Sequence, residues 1–288
     1  MKSCYLSALL LSALLLSACG GRKENPEAVS LLNQARTLSE SRVRTDEDRA
    51  LLLLDSIHKA FPVEVELRQA ALDLSRKLRI RMSEEDSLFF ANQYAKDSSL
   101  LIEMDPLFVR TKYPGLPEDE TLMRYKGYEP KDVAGVLFLD VHLRHDARLE
   151  MVVGYTGTQS ITSVRVSDAE SGDFAESDTI PVSDSGRNYR FTTDGSTRHR
   201  LTLSPEGAAR VAGFVSLKAN DSKRVTVTLK YGDKAVKSYT LTPVQVEAIS
   251  QTYLFYAAYV EMKTLEGKQQ RHALYRNRLR TPDPGSAD

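Results

Sequence analysis

Two hydrophobic rhythms divide this chain. From Ala28 to about Leu101 apolar residues recur at the three- and four-residue spacing that places them on one face of a helix. Val29, Leu32 and Ala35 mark a first face. Thr45 with Asp48 reads as a capping pair ahead of a second, made of Ala50, Leu53, Leu54 and Ile57. Pro62 opens a third, with Leu67, Ala70, Ala71, Leu74 and Leu78. Ser83, followed by acidic Glu84, Glu85 and Asp86, reads as the cap of a fourth, which carries Leu88, Phe89, Ala91 and Ala95. From Ala134 the period drops to two. Leu137, Leu139, Val141 and Leu143 alternate with Asp140, His142 and Arg144, and Leu149, Met151, Val153 and Tyr155 continue the alternation. Strand-like runs follow at Ile161–Val166, Tyr189–Thr192, Arg200–Leu203, Val225–Tyr231 and Ala235–Leu241. Gly232-Asp233 joins the last two as a glycine-first tight hairpin.

Punctuation residues set the remaining boundaries. Residues 103–132 carry Pro106, Pro114, Pro117 and Pro130 with little periodicity and read as an extended connector. Ser204 and Pro205 start a short helix, 204–219, inside an antiparallel β domain at 133–242. Thr242-Pro243, with Gln245 completing a capping pair, starts a long C-terminal helix at 243–280, and 281–288 reads as a disordered tail. Strand runs without regular βαβ alternation point to an α+β fold: a helical bundle at 28–102, then the antiparallel β domain and its terminal helix. The stretch R-A-L-L-L-L-D-S-I-H-K-A-F-P resembles the second helix of a tetratricopeptide repeat, with Ala50, Leu54, Ile57 and Pro62 at that motif's spacing. A second copy is missing, and a solenoid needs about three, so a degenerate hairpin within a bundle is expected.

The first residues change the picture of where the chain works. Lys2 precedes an apolar run, Leu6 to Leu16, followed by small Ser17 and Ala18, which is the plan of a secretory signal over 1–18. The run is shorter than the roughly 20 residues a spanning helix needs. Leu16-Ser17-Ala18-Cys19 resembles the lipobox of bacterial lipoproteins. That resemblance implies cleavage before Cys19, lipid on its thiol and amine, and a short tether over 19–27. Each buried methylene of such acyl chains adds about 0.8 kcal/mol, enough in sum for a durable anchor. Cys4 leaves with the signal, so the mature chain is expected to have neither a free thiol nor a disulfide. Gly20 stands where an inner-membrane retention signal would place Asp, and Gly21-Arg22-Lys23 lacks the acidic run of surface-displayed lipoproteins. The outer membrane, periplasmic face, is the expected location.

Composition narrows the chemistry. Lys plus Arg and Asp plus Glu number 39 each, with no basic block to neutralise phosphates, so nucleic acid is not expected as a partner. Hydrophobic content of 41% supports a packed core rather than disorder. His142 and His145 form an H-x-x-H, but three residues along a strand put them on opposite faces. His58, His199 and His272 are remote, so no metal or other cofactor is expected. Ser56-Ile57-His58-Lys59 fits an S-x-x-K nucleophile pattern without its partner motifs, and it sits between apolar positions of a helix; no catalytic constellation is read. The chain has no Trp for a sugar platform. Tyr253, Phe255, Tyr256 and Tyr259 read as core of the last helix. Tyr113, Tyr125 and Tyr128 in the connector are the better candidates for contact with a partner or ligand, or for stapling the helical and β parts. Asp55-Ser56-Ile57, Asp86-Ser87-Leu88 and Asp178-Thr179-Ile180 fit an O-glycosylation sequon of exported Bacteroidetes proteins, with Thr179 the best acceptor because its surroundings read as a loop.

A strand ending in Y-T-G at Tyr155–Gly157, the run S-K-R-V-T-V-T-L-K-Y-G-D-K, the closing L-T-P-V-Q-V-E-A-I-S-Q-T-Y and the earlier L-L-D-S-I-H-x-x-F-P together resemble a family of Bacteroidetes lipoproteins. The resemblance spans nearly the whole mature chain, and its motifs are turns and caps, so it implies fold and compartment but no activity. The expected role is a non-enzymatic envelope protein that binds or scaffolds a protein partner. The alternative is a glycan- or ligand-binding lipoprotein using the β domain and the connector tyrosines.

Overall fold

The computed structural model describes residues 24–112, 121–130, 137–193, 195–219 and 224–281. The fold is α+β, and the chain divides into two units: Met1–Phe89 with Gln270–Asp288, and Phe90–Gln269. The helices are α1 (Pro26–Glu40), α2 (Arg44–Ala60), α3 (Val65–Met104), α4 (Pro205–Lys218) and α5 (Pro243–Arg280). The strands are β1 (Phe108–Lys112), β2 (Thr121–Tyr125), β3 (Phe138–Arg144), β4 (Leu149–Thr156), β5 (Ser163–Asp168), β6 (Phe174–Glu176), β7 (Asn188–Thr193), β8 (Ser196–Thr202), β9 (Val225–Tyr231) and β10 (Lys234–Thr240).

In the helical unit, Asn25 caps α1 by accepting from the Glu27 N–H at 2.9 Å, with Pro26 in the first helical turn where its missing N–H costs nothing. Ala28, Leu32 and Ala35 of α1 then pack against Ala50, Leu54 and Ile57 of α2 and against Leu67, Ala71 and Leu78 of α3. Three sequence expectations fail here. Helix α2 begins at Arg44 with Val43 in the cap position, so Thr45 and Asp48 do not form its cap. Pro62 lies in the turn before α3, which starts at Val65. Ser83 caps nothing: α3 runs through it, and its buried hydroxyl lies 3.0 Å from Nδ1 of His272 while Arg276 donates to its carbonyl at 2.9 Å. An acidic run after a serine fits an N-terminus, but it fits a continuous helix equally when the serine has a lateral partner. Glu47, 1% exposed, is paired with Arg81 at 2.7 Å, which neutralises a carboxylate drawn into the interior.

The second unit holds two antiparallel sheets, one in the order β1-β2-β3-β4-β8-β7 and one in the order β10-β9-β5-β6. Their inward faces meet in one core with Leu139, Val141 and Leu143 of β3, Met151 and Val153 of β4, Val164 and Val166 of β5, and Val227 and Leu229 of β9. Helix α4 contacts β4, β5 and β6. Its cap is the expected one: Ser204 Oγ accepts from the Gly207 N–H at 3.0 Å, ahead of Pro205. The Thr242–Gln245 capping pair also forms, with the Thr242 N–H donating to Gln245 Oε1 at 2.9 Å and the Gln245 N–H to Thr242 Oγ1 at 3.3 Å. Gly232 adopts φ of 58° in the β9–β10 hairpin, as a glycine-first turn requires.

Within 103–132, read as an extended connector, the described residues include two strands: Phe108–Lys112 and Thr121–Tyr125 pair as β1 and β2 and extend the larger sheet. The polar side chains of β3 are buried, Asp140 at 4% and His142 at 3% exposure. Among the described residues no helix is long and apolar enough to cross a membrane. Leu143, fully buried where β3 meets both β2 and β4, is the natural probe of the core. Leu143→Ala is expected to lower unfolding stability by about 2–5 kcal/mol, read as a drop in the urea midpoint with the m-value unchanged.

Candidate functional site

The outer face of the larger sheet carries the site. Side chains directly opposite one another in antiparallel strands share a face, so the pairing sets which residues meet. Val109 of β1 stands opposite Arg124 of β2, and His142 of β3 stands opposite Glu150 of β4. Further along, Phe138, Gly154, Arg200 and Tyr189 follow one another across β3, β4, β8 and β7. Gly154 is required there. A Cβ would stand 1.7 Å from the Phe138 ring, which lies over the position a side chain would take.

A chain of charges occupies the first part of this face. Arg124 grips Asp140 with two bonds, Nε to Oδ1 at 3.0 Å and Nη2 to Oδ2 at 2.8 Å. Asp140 Oδ2 also lies 3.2 Å from His142 Nδ1, within ion-pairing reach but outside hydrogen-bond geometry. On the other side His142 Nε2 is 3.1 Å from Glu150 Oε2, and Arg144 reaches Glu150 Oε1 at 3.2 Å. Burial opposes charge on His142, but Asp140 and Glu150 outweigh it and raise its pKa above the usual imidazole value. Burial would likewise raise Asp140, yet His142 and Arg124 hold its carboxyl well below the carboxylate range. Glu150 is lowered chiefly by its bond to His142, against a smaller effect of burial. Both ring nitrogens of His142 face carboxylates, so the imidazole bridges Asp140 and Glu150. Among the described residues no three His, Cys, Asp or Glu side chains gather as a metal ion would require.

Beside the charges, a cleft of about 440 Å³ is walled by Arg124, Tyr125, Lys126, Tyr128, Asp140 and Arg200, among others. A smaller hollow of about 100 Å³ shares Phe138 and Arg200 with it and ends at Tyr189 and Phe191. These two rings are 52% and 39% exposed with centroids 5.8 Å apart, and the Arg198 guanidinium stands 5.7 Å from the Phe191 centroid. The two hollows therefore adjoin at Phe138 and Arg200 on the outer face.

Two of the three tyrosines chosen from sequence line this cleft, but their hydroxyls serve the fold. Tyr125 donates to Glu247 of α5 at 2.7 Å, which raises its pKa, and packs edge-on to Phe108. Tyr128 donates to the Leu139 carbonyl at 2.6 Å and receives Gln245 at 3.4 Å; burial raises its pKa most. They staple the sheet to α5 within the second unit. Tyr113 and Cys19 lie outside the described residues. Thr179 is exposed in an irregular segment, whereas Ser56 Oγ is spent on the Leu52 carbonyl at 2.9 Å and Ser87 receives Arg276. His145 is exposed in the turn after β3, and His199 bonds the Gly157 carbonyl at 3.0 Å while stacking on Tyr155.

Sequence reading passed over Asp140, Glu150, Gly154, Tyr189 and Phe191. One signal was available: Asp140 and His142, or Tyr189 and Phe191, two apart on a strand, must share a face. Comparison with known protein families, curated proteins and solved structures finds no match.

The raised His142 pKa fixes the sign of a pH effect. Its stabilisation is complete below the unfolded value of about 6.5 and fades as pH rises through the higher folded value. Asp140 and Glu150 act oppositely, contributing fully above about pH 5 and less as pH falls through their lowered values. Stability from the array is thus expected to be greatest between about pH 5 and 6.5, and His142→Gln to remove the decline on the alkaline side, checked by urea midpoints across pH. Asp140→Asn is expected to cost about 3–5 kcal/mol, because it strands Arg124 and the imidazolium in a buried site.

Proposed function

We propose that the protein is a lipid-anchored component of the cell envelope that works by binding, holding a ligand on the outer face of its larger sheet. The observation that carries the binding role is the pair of hollows sharing Phe138 and Arg200, walled in part by Arg124 and Tyr128, whose polar ends are fixed by the fold. A site whose walls are ordered before the ligand arrives loses little entropy on binding. Its size falls in the range of small-ligand clefts, about 300–1,000 Å³. The charged groups at its edge are engaged with one another, which supports positioning rather than proton transfer.

The anchor is the lipid on Cys19, within a Leu16–Cys19 segment that resembles a lipobox, in a chain that resembles a Bacteroidetes lipoprotein family. The proposed location is the outer membrane with its periplasmic face, and Thr179 is the proposed site of O-glycosylation. Nucleic acid is not among the proposed partners. A protein-scaffolding role is the second reading, favoured by Leu52, Leu88 and Phe89, helical side chains of the first unit that are 67%, 64% and 65% exposed.

Two measurements test this. Wild-type chain is expected in the membrane fraction with acyl mass on Cys19, and Cys19→Ser is expected to stay unprocessed and to lose both. An unchanged fractionation overturns the anchor. Purified full chain is expected to bind envelope glycans saturably on an array; absence of any saturable glycan, with reproducible capture of one protein partner from detergent-solubilised membranes, would favour scaffolding instead.

A further inference from the structure

We infer that the free edge of β7 takes an extended peptide of another protein as an added antiparallel strand, with an acidic residue opposite Arg190 and apolar residues on either side of it. This edge is a second binding surface, beyond the hollows on the face of the sheet. Three observations carry it. The first is the hydrogen-bond ladder. β7 is the last strand of the larger sheet and pairs on one side with β8. The Thr202 N–H donates to the Arg187 carbonyl at 2.7 Å, so in this antiparallel pair the odd-numbered residues of β7 bond to β8 and the even-numbered ones turn outward. The Asn188 N–H is used on the Asp184 carbonyl, at 2.7 Å. The main-chain N–H and C=O groups of Arg190 and Thr192 meet no donor or acceptor among the described residues, and both residues are exposed. Main-chain groups left open in this way are what an extended peptide pairs with when it extends a sheet.

The second is the absence of the devices that commonly blunt such an edge. At the edges of the smaller sheet, β10 carries Lys234 and Lys237 with a register shift between Ala235 and Lys237, and β6 is three residues long. β1, at the opposite edge of the larger sheet, carries Arg110 and Lys112. β7 reads Asn-Tyr-Arg-Phe-Thr-Thr, in unbroken register, with aromatic and β-branched residues that favour strands and no lysine or proline.

The third is the side chains that an added strand would meet. Residues directly opposite one another share a face. Arg190 bonds Ser160 Oγ at 3.3 Å and has no ion pair among the described residues, so a carboxylate opposite it supplies the missing charge. The neighbours of that acid fall opposite Tyr189 and Phe191, 52% and 39% exposed on the other face, where β-branched side chains pack well against rings. A second copy of β7 fits less well. Self-pairing centred on Arg190 sets like charges opposite each other; centred on Phe191 it sets Arg190 against Thr192; centred on Thr192 it runs past the end of the strand at Thr193.

Full chain titrated by calorimetry with acetyl-Ser-Thr-Val-Glu-Val-Thr-Ser-amide tests this. Saturable binding is expected, at least tenfold weaker when Lys replaces the central Glu. N-methylation of the Glu amide, which faces β7 in the antiparallel register, is expected to abolish binding, while N-methylation of the following Val amide, which faces away, is tolerated. Thr192→Pro removes one outward N–H at a position where an edge strand accepts proline. It is expected to weaken the peptide at least tenfold with the thermal midpoint unchanged. Arg190→Glu is expected to reverse the preference, so that the Lys peptide becomes the tighter ligand. No saturable binding, binding that ignores Thr192→Pro, or equal loss with either N-methyl group overturns the added strand. Equal affinity of the Glu and Lys peptides for wild-type chain overturns the pairing with Arg190. A dimer by sedimentation that Thr192→Pro dissociates assigns the edge to a second copy and overturns the peptide. Arg190 and Thr192 are not among the residues that line the two hollows, so glycan retention by the same variants tests those separately.

Discussion

The outer face of the larger sheet depends on how Asp140 is neutralised. A carboxylate 4% exposed cannot stay charged at the desolvation cost of a dry site unless opposite charge sits against it. Arg124 comes from β2 with a two-pronged bond, and His142 comes from β3 itself, two residues on. Glu150 of β4 then balances the imidazolium, and Arg144 balances Glu150. The charges thereby knit three strands at one register. A slip of one residue would send Asp140 and His142 into the Leu139–Leu143 core and bring those leucines out, a double penalty that specifies the pairing more strongly than hydrophobic contacts on one face would.

The parts of the fold that sequence made legible are those where local chemistry decides the outcome. Ser204 ahead of Pro205, Thr242 with Gln245, and Gly232 at the hairpin each satisfy backbone groups within a few residues, so no distant partner was needed to read them. Ser83 shows the converse. Its helix-start signature was genuine locally, but the deciding partners, His272 and Arg276, are almost two hundred residues away in sequence. β1 escaped notice for another reason. Only Phe108 of its five residues is buried, so there is no alternation to find. It is a strand because β2 supplies its ladder, and pairing of that kind leaves no hydrophobic trace.

The site was legible only in halves. Polar Asp140, His142 and Arg144 alternate with apolar neighbours, a pattern that on an outer strand means solvent. The same pattern means buried ion pairs when the adjacent strands bring opposite charges to the same level, and the sequence does not state which strands are adjacent. The β4–β8 pairing joins residues about fifty apart, so the row Phe138, Gly154, Arg200, Tyr189 has no linear signature. Tyr125 and Tyr128 were found because aromatic residues among prolines stand out. Their hydroxyls turned inward because buried phenols need acceptors, which Glu247 and the Leu139 carbonyl provide.

The buried array and the exposed groups of the larger sheet divide the work between them. Asp140 accepts both prongs of Arg124 and lies against His142, and Glu150 is shared between His142 and Arg144. Groups so fully engaged contribute little direct attraction to a ligand, since any new bond would have to replace one already made in a low-dielectric site. What they contribute is rigidity: Arg124, Asp140, His142 and Glu150 tie β2, β3 and β4 at one register. The exposed groups of the same sheet lie apart from that array, with Tyr189 and Phe191 at 52% and 39% exposure on β7, so the residues that set the register are not the ones that meet water.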